Sequence, residues 1–389
     1  MQIIAIQWLQ SVKKPKKGHR MKDSQSDKKM RNPAIELLRI IMLLQIVFLH
    51  VSDYGGFSKI ANQLGGNREL TFWLIWLMCR CPVFVFIVIM GYYMCESKSG
   101  FNKKRLLKCY LPMLFYSVAI PVIYGIVYPE SITGADYIRG FFPFLSRTWY
   151  FMTLYILVLM LSPFLNKMIE KLSRKEFLWL LAIIFFVFSV WQPLAMLEPF
   201  QEILSLKKVV ETVGGKSLYG FIYMYLLGAY MRKYHFLKIH EEDKGFLSGK
   251  WMYLITFIML GLMNTAFVYF YPDENIKQVI VYNDNPLVIL QCVCIFRFFE
   301  RTDLTRFGRI GRVINMISAG NMGIYMIHEH PLMRDVIWKH IFDINNVQFY
   351  TRKDYLLRIL LIIIIIYAAC WTIDRIVNII PKVISKRKG

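Results

Sequence analysis

A chain of 389 residues that is 56% hydrophobic and 16% aromatic, with a mean hydropathy of +0.40, is too apolar for an ordinary soluble protein and reads as a polytopic membrane protein. Its net charge of +22 is parcelled into short loops beside apolar runs rather than gathered on one face, which argues against nucleic acid and for anchoring to an anionic inner leaflet. No connection exceeds about 30 residues, so there is no room for a separate soluble catalytic domain, and any chemistry has to use the membrane helices and their short loops.

Residues 1–30 form a polar, basic tail that reads as disordered and cytoplasmic. Its opening "MQIIAIQWLQ" does not match a signal peptide, because the charge follows the apolar run. Met21 and Met30 are alternative starts. Apolar runs then predict spans near 33–52, 72–94, 106–128, 148–166, 176–195, 217–231, 251–271, 286–300, 316–333 and 355–379. The expected fold is all-α, with ten transmembrane helices in one domain over 31–380 and a short basic tail at 381–389. The sixth and eighth runs are short, and the ninth is polar.

The basic residues supply an independent test. With both termini in the cytoplasm, the inward segments hold 33 Lys and Arg and the outward loops 12, out of 48, as the positive-inside rule requires. Removing one of the doubtful spans would place basic loops outside.

Several motifs carry less than they suggest. The two Cys-x-Cys pairs, Cys79/Cys81 and Cys292/Cys294, fall in predicted helices where residues two apart point about 200° away from each other, so packing is expected of them. "GGKS" at 214–217 lacks the earlier glycine of a phosphate loop, since position 210 is valine. "HEH" at 328–330 lacks the four-residue histidine spacing of a zinc helix, and no metal site is expected. There is no GxSxG elbow for a serine nucleophile.

Charged and titratable groups inside spans are the informative feature, because they are costly in lipid and mark function. Arg39 and His50 are eleven residues apart on the first span, about three turns, so they share a face roughly 16 Å apart. Glu36 is placed to pair with Arg39. Arg80 falls some nine residues into the second span, and His328, Glu329 and His330 close the ninth in the same leaflet as His50.

These residues lie within segments that resemble a known family. "ELLRIIMLLQIVFLH" (36–50), "RCPVFVFIVIMGYYM" (80–94), "RTWYFMTLYILVLMLSPFL" (147–165) and "GIYMIHEHPL" (323–332) are similar, in that order, to the signature segments of the integral-membrane acyltransferase family 3, the bacterial surface-glycan O-acyltransferase type. Departures are Met90 where a serine is usual, Asn321-Met322 in place of a Ser-Tyr pair, and Lys108 where a second arginine is usual.

The resemblance implies transfer of an acyl group, commonly acetyl, from cytoplasmic acetyl-CoA or another acyl-CoA to a hydroxyl of a carbohydrate or lipid-linked glycan, in a bacterial cell membrane. It implies His50 as catalytic base, with Arg80 and His330 beside it. Donor binding would fall to Arg39, Glu36, Arg105 and Lys108, and acceptor binding to Trp149, Tyr150, Tyr325 and His328. Two other readings fit the same residues: a transporter or exporter of a glycan or polar solute, which binding of acyl-CoA would exclude, and a binding module without turnover, which product formation would exclude.

Overall fold

The computed structural model describes residues 31–97, 100–191, 194–195, 202–203, 214–235, 249–271, 277, 280–342 and 355–387. The amino-terminal tail lies outside them. Among the described residues the fold is helical, with no strand.

The first helix, α1 (Pro33–Asp53), starts where the sequence dictates. The Asn32 side chain accepts the Ala34 N–H at 3.0 Å, and Pro33 occupies the first turn, where no N–H is needed. Its 21 residues rise about 31 Å, enough to cross the hydrocarbon. After α2 (Phe57–Leu64) comes the first departure from expectation. The second span is not one helix but two, α3 (Gly66–Met78) and α4 (Pro82–Met94), broken at Cys79–Cys81 with Pro82 opening α4. Arg80 therefore sits in a helix break.

Helix α5 (Lys103–Val127) is capped by Asn102 and contains Pro121. Pro121 leaves the Ser117 carbonyl without its usual helical donor. The short α6 (Gly134–Phe141), within the expected outer loop, packs there through Gly140, where a Cβ would stand 2.5 Å from that carbonyl oxygen. Next come α7 (Tyr150–Lys171) and α8 (Arg174–Phe185), the latter opened by a Ser173/Glu176 capping box and continued as a π-helical stretch, Phe186–Trp191.

Helix α9 (Leu218–Tyr234) is short and lies inside the bundle, with an unbroken buried run from Tyr223 to Met231. It meets α4 at two glycines. A Cβ on Gly91 would collide with the Tyr225 carbonyl, and one on Gly228 with the Val88 carbonyl. Helices α10 (Lys250–Phe270) and α11 (Pro286–Glu300) pair through Asn285 Nδ2, 3.0 Å from Asn264 Oδ1, and Gln291 Nε2, 3.3 Å from the Phe257 carbonyl.

The ninth expected span is two helices, α12 (Gly308–Ser318) and α13 (Asn321–His328), followed by α14 (Pro331–Asp335). Helix α15 (Tyr355–Arg387) runs past the expected end at 379 into the basic tail. Tyr367 and Trp371 fasten it to Asn321 (2.9 Å) and the Ile317 carbonyl (3.1 Å).

Among the described residues six spans are long and apolar enough to cross a membrane: Pro33–Asp53, Gly66–Met94, Lys103–Val127, Tyr150–Lys171, Lys250–Phe270 and Leu356–Ile379. The other four expected spans are helical but shorter or broken. Large side chains such as Ile123, Ile126, Phe164 and Phe270 stand outward on α5, α7 and α10, as lipid-facing surfaces require. All seven cysteines are unpaired, and Cys292 Sγ rests 3.5 Å from the Cys81 carbonyl, in keeping with a packing role.

Candidate active site

The two polar ends of α1 reach separate environments. At one end Glu36 is buried, accepts the Ser318 hydroxyl, and pairs with Arg39 at 3.6 Å. Arg39 is about a third exposed. It and Arg105 both act electrostatically on Tyr155, so α1 and α5 bring two cations to one region. Lys108 is exposed one turn further along α5.

At the other end His50 meets α13. His328 Nδ1 is 2.6 Å from the Ile324 carbonyl, its partner one turn back. A carbonyl only accepts, so Nδ1 carries the His328 proton, and in the neutral ring Nε2 is an acceptor. His50 Nδ1 lies 3.0 Å from that Nε2 and is its donor. The tautomer of His50 follows from this chain: Nδ1 is protonated, and Nε2 holds a lone pair with no hydrogen-bond partner among the described residues. Glu329 Oε2 is 3.0 Å from the same Nδ1 but off the N–H direction. It is placed to stabilise the ring when it becomes positive. Arg334 pairs with the other carboxylate oxygen, which Tyr54 Oη approaches at 3.5 Å, and the Arg334 guanidinium lies 4.1 Å over the Tyr54 ring.

The remaining sequence candidates divide. Tyr325 is edge-on to His328, ring centroids 6.1 Å apart, and its buried hydroxyl has no hydrogen-bond partner among the described residues. His330 is engaged elsewhere: its Nδ1 accepts the Leu332 N–H at 3.2 Å, and its ring packs edge-on against Trp149 at 5.4 Å. Trp149 is 1% exposed, so its place is beneath His330 and not on a surface where a sugar could stack. Arg80 lies 4.4 Å over the Trp76 ring in the helix break, with a buried Nε that has no hydrogen-bond partner among the described residues.

Tyr150 does face open space. With Arg139, Ser146, Arg147, Thr148, Pro331, Glu329 and Arg334 it lines a cavity of about 280 Å³. Lys216 Nζ stands 5.5 Å from the Tyr150 ring, and acts electrostatically on Arg80, Asp53, Glu329 and Arg334. Arg139 is held over the cavity by Asp136 at 3.2 Å. Hydrogen bonds from Thr133 hold the Asp136 carboxyl below the usual carboxylate range and so keep it charged for that pairing.

Sequence reasoning gave no role to Glu329, which lies beside His50, to its partner Arg334, to Arg147, which lines the cavity, or to Lys216, which stands over the Tyr150 ring. The signal for Glu329 was present, an acid between two histidines at a helix end. Finding the partner required the fold, since α1 and α13 are separated by most of the chain. The fold also changes the metal question. His50, His328 and Glu329 place three ligand-type atoms within 4.8 Å of one another, a set that "HEH" alone does not provide.

The family model for the acyltransferase domain, acyltransferase family 3, matches residues 32–375, and the chain belongs to that family. It is a multi-pass membrane protein whose family activity is acyl transfer. No curated protein and no solved structure matches the chain.

Proposed function

We propose that the protein is a membrane O-acyltransferase that moves an acyl group, acetyl by preference, from cytoplasmic acyl-CoA to a hydroxyl of a cell-surface or lipid-linked carbohydrate. In this reading ten helices cross a bacterial cell membrane, with both termini and the Arg39 end of α1 in the cytoplasm. His50 then lies toward the outside.

The observation that carries the reading is the unprotonated Nε2 of His50, set by the chain of hydrogen bonds through His328. An alcohol is a poor nucleophile at neutral pH and needs a base. His50 Nε2 takes the hydroxyl proton as the oxygen attacks the thioester carbonyl carbon. The carbonyl π electrons move to oxygen, and Glu329 stabilises the imidazolium formed. Collapse of the tetrahedral intermediate re-forms the carbonyl and breaks the C–S bond. The proton passes from Nε2 to the departing thiolate, giving the ester and free coenzyme A. Arg80, through its unpartnered Nε, and Tyr325, through its hydroxyl, are the donors assigned to the oxyanion.

Arg39, oriented by Glu36 and assisted by Arg105 and Lys108, takes the phosphates of the donor. The rise of about 16 Å from Arg39 to His50 suits an extended pantetheine arm. His330, in this reading, positions the loop that carries Glu329.

The test is binding and turnover of acetyl-CoA by the protein in lipid nanodiscs. Arg39→Ala should raise the donor Kd by about 10–100-fold, the worth of a charge-assisted contact, whereas His50→Ala should bind donor normally and transfer nothing. Failure of the well-folded protein to bind any acyl-CoA would overturn the assignment.

A further inference from the structure

The cavity beside His50 is unusually cationic for a site that would take a sugar. Three of its eight lining residues are arginines, Arg139, Arg147 and Arg334, against one acid, Glu329. Arg334 is committed to Glu329 and Arg139 to Asp136. Arg147 has no ion pair or hydrogen bond among the described residues, and it keeps a left-handed backbone at φ +50°. A side chain other than glycine holds that conformation only at a cost, and such strain concentrates where a residue has to be presented in one direction. Lys216 adds a second cation across the Tyr150 ring.

A neutral sugar needs hydroxyl-matching groups and aromatic faces. From an unpaired guanidinium it takes only single neutral hydrogen bonds, whereas the flat fork of donors matches a carboxylate or phosphate at two points and in charge. The volume, about 280 Å³, is near the lower end of small-ligand pockets, room for one sugar ring with its charged group.

We propose that the acceptor is anionic: the sugar presented to His50 carries a carboxylate or a phosphate, and Arg147, with Lys216 and the free edges of Arg139 and Arg334, receives that group. This rests on the acyltransferase reading and names the acceptor class for the same site. Glu329 lines the cavity and lies 3.0 Å from His50 Nδ1, so an anion held there would orient the sugar beside His50, and the charged group sets which hydroxyl is acylated.

The test uses full-length protein in nanodiscs of phosphatidylcholine, which has no net charge to compete. Calorimetry would follow binding of glucuronate, glucose 6-phosphate, glucose and methyl glucuronate ester. The two anions should bind at least tenfold more tightly than the two neutral sugars, and the stronger of the two identifies carboxylate or phosphate as the natural group. Arg147→Gln should remove that preference and Arg147→Lys restore part of it, both with acetyl-CoA binding unchanged. Equal binding of charged and neutral sugars, or an Arg147→Gln variant that keeps the preference, would overturn the proposal. So would mutual displacement of glucuronate and acetyl-CoA, which would give the cavity to the donor's phosphates. A protein that binds the anions through Arg147 but never hydrolyses or transfers from acetyl-CoA would uphold the anion site while removing the acyltransferase reading beneath it.

Discussion

His50 Nδ1 and His328 Nε2 stand 3.0 Å apart across 278 residues of chain, and that contact decides which nitrogen of His50 is basic. The His328 proton is fixed on Nδ1 by the Ile324 carbonyl, so the direction of every hydrogen bond in the row is settled from its far end. Replacing His328 by glutamine keeps an acceptor for the His50 N–H, and replacing it by alanine does not. His328→Gln should therefore retain much more turnover than His328→Ala, with His50→Gln the most severe of the three, down about 10²–10⁴-fold. Initial rates of acyl-CoA consumption give the ranking, and equal activities for the two His328 variants would remove the tautomer-setting role.

Glu329 contributes charge rather than a second hydrogen bond, since its Oε2 lies near His50 Nδ1 but off the N–H direction. Glu329→Gln preserves shape and removes the charge that meets the imidazolium. It should lower kcat by about 10²-fold or more and leave the donor KM nearly unchanged, because the charge matters only once the ring is protonated. Combined with His50→Gln it should cost nothing extra. Additive losses in the double variant would mean that Glu329 acts elsewhere.

The extent to which this was legible in the sequence follows from the kind of information each part needs. The helices were readable because apolar length is a property of single segments. His50, Arg39 and Glu36 were readable because they share one helix with known geometry. The break at Cys79–Cys81 was hidden, since the apolar run continues through it and only Pro82 hinted at a restart. The run that forms α9 looked short for a span, and the structure encloses it among other helices, where it need not match lipid along its whole length. The anchoring of His50 by Glu329 and Arg334 was out of reach, because nothing local says that the end of α13 packs beside the end of α1.

The closest approach between helices sets a different prediction. Gly91 on α4 and Gly228 on α9 face backbone carbonyls of the opposite helix, so neither can accept a methyl group unless the helices move apart. Each glycine-to-alanine change should destabilise by at least the usual cost of overpacking, about 1–3 kcal/mol. Gly134→Ala, where nothing lies within 4 Å, is the control. Thermal unfolding in detergent should show lowered midpoints for the first two and an unchanged one for the control. Because α4 begins next to Arg80, the first two variants should also lose activity before they lose fold.

The cluster that makes His50 a base also makes it vulnerable to zinc. His50 Nδ1, His328 Nε2 and Glu329 Oε2 lie within 4.8 Å of one another, two imidazoles and a carboxylate of the kind zinc binds with a fourth position open. The Ile324 carbonyl already orients His328 as an outer partner orients a metal ligand. A metal on His50 Nδ1 displaces the proton from that nitrogen, and the neutral ring then carries it on Nε2, where the base has to be. Occupation of the cluster by zinc and base catalysis by His50 therefore exclude each other. Zinc added to the purified protein should suppress transfer, and EDTA should restore it. The residual activity of Glu329→Gln, which lacks the anionic ligand, should be less sensitive to zinc than wild type. The opposite result, activity lost with EDTA and regained with zinc, would make the cluster a catalytic metal centre and would displace His50 as the base.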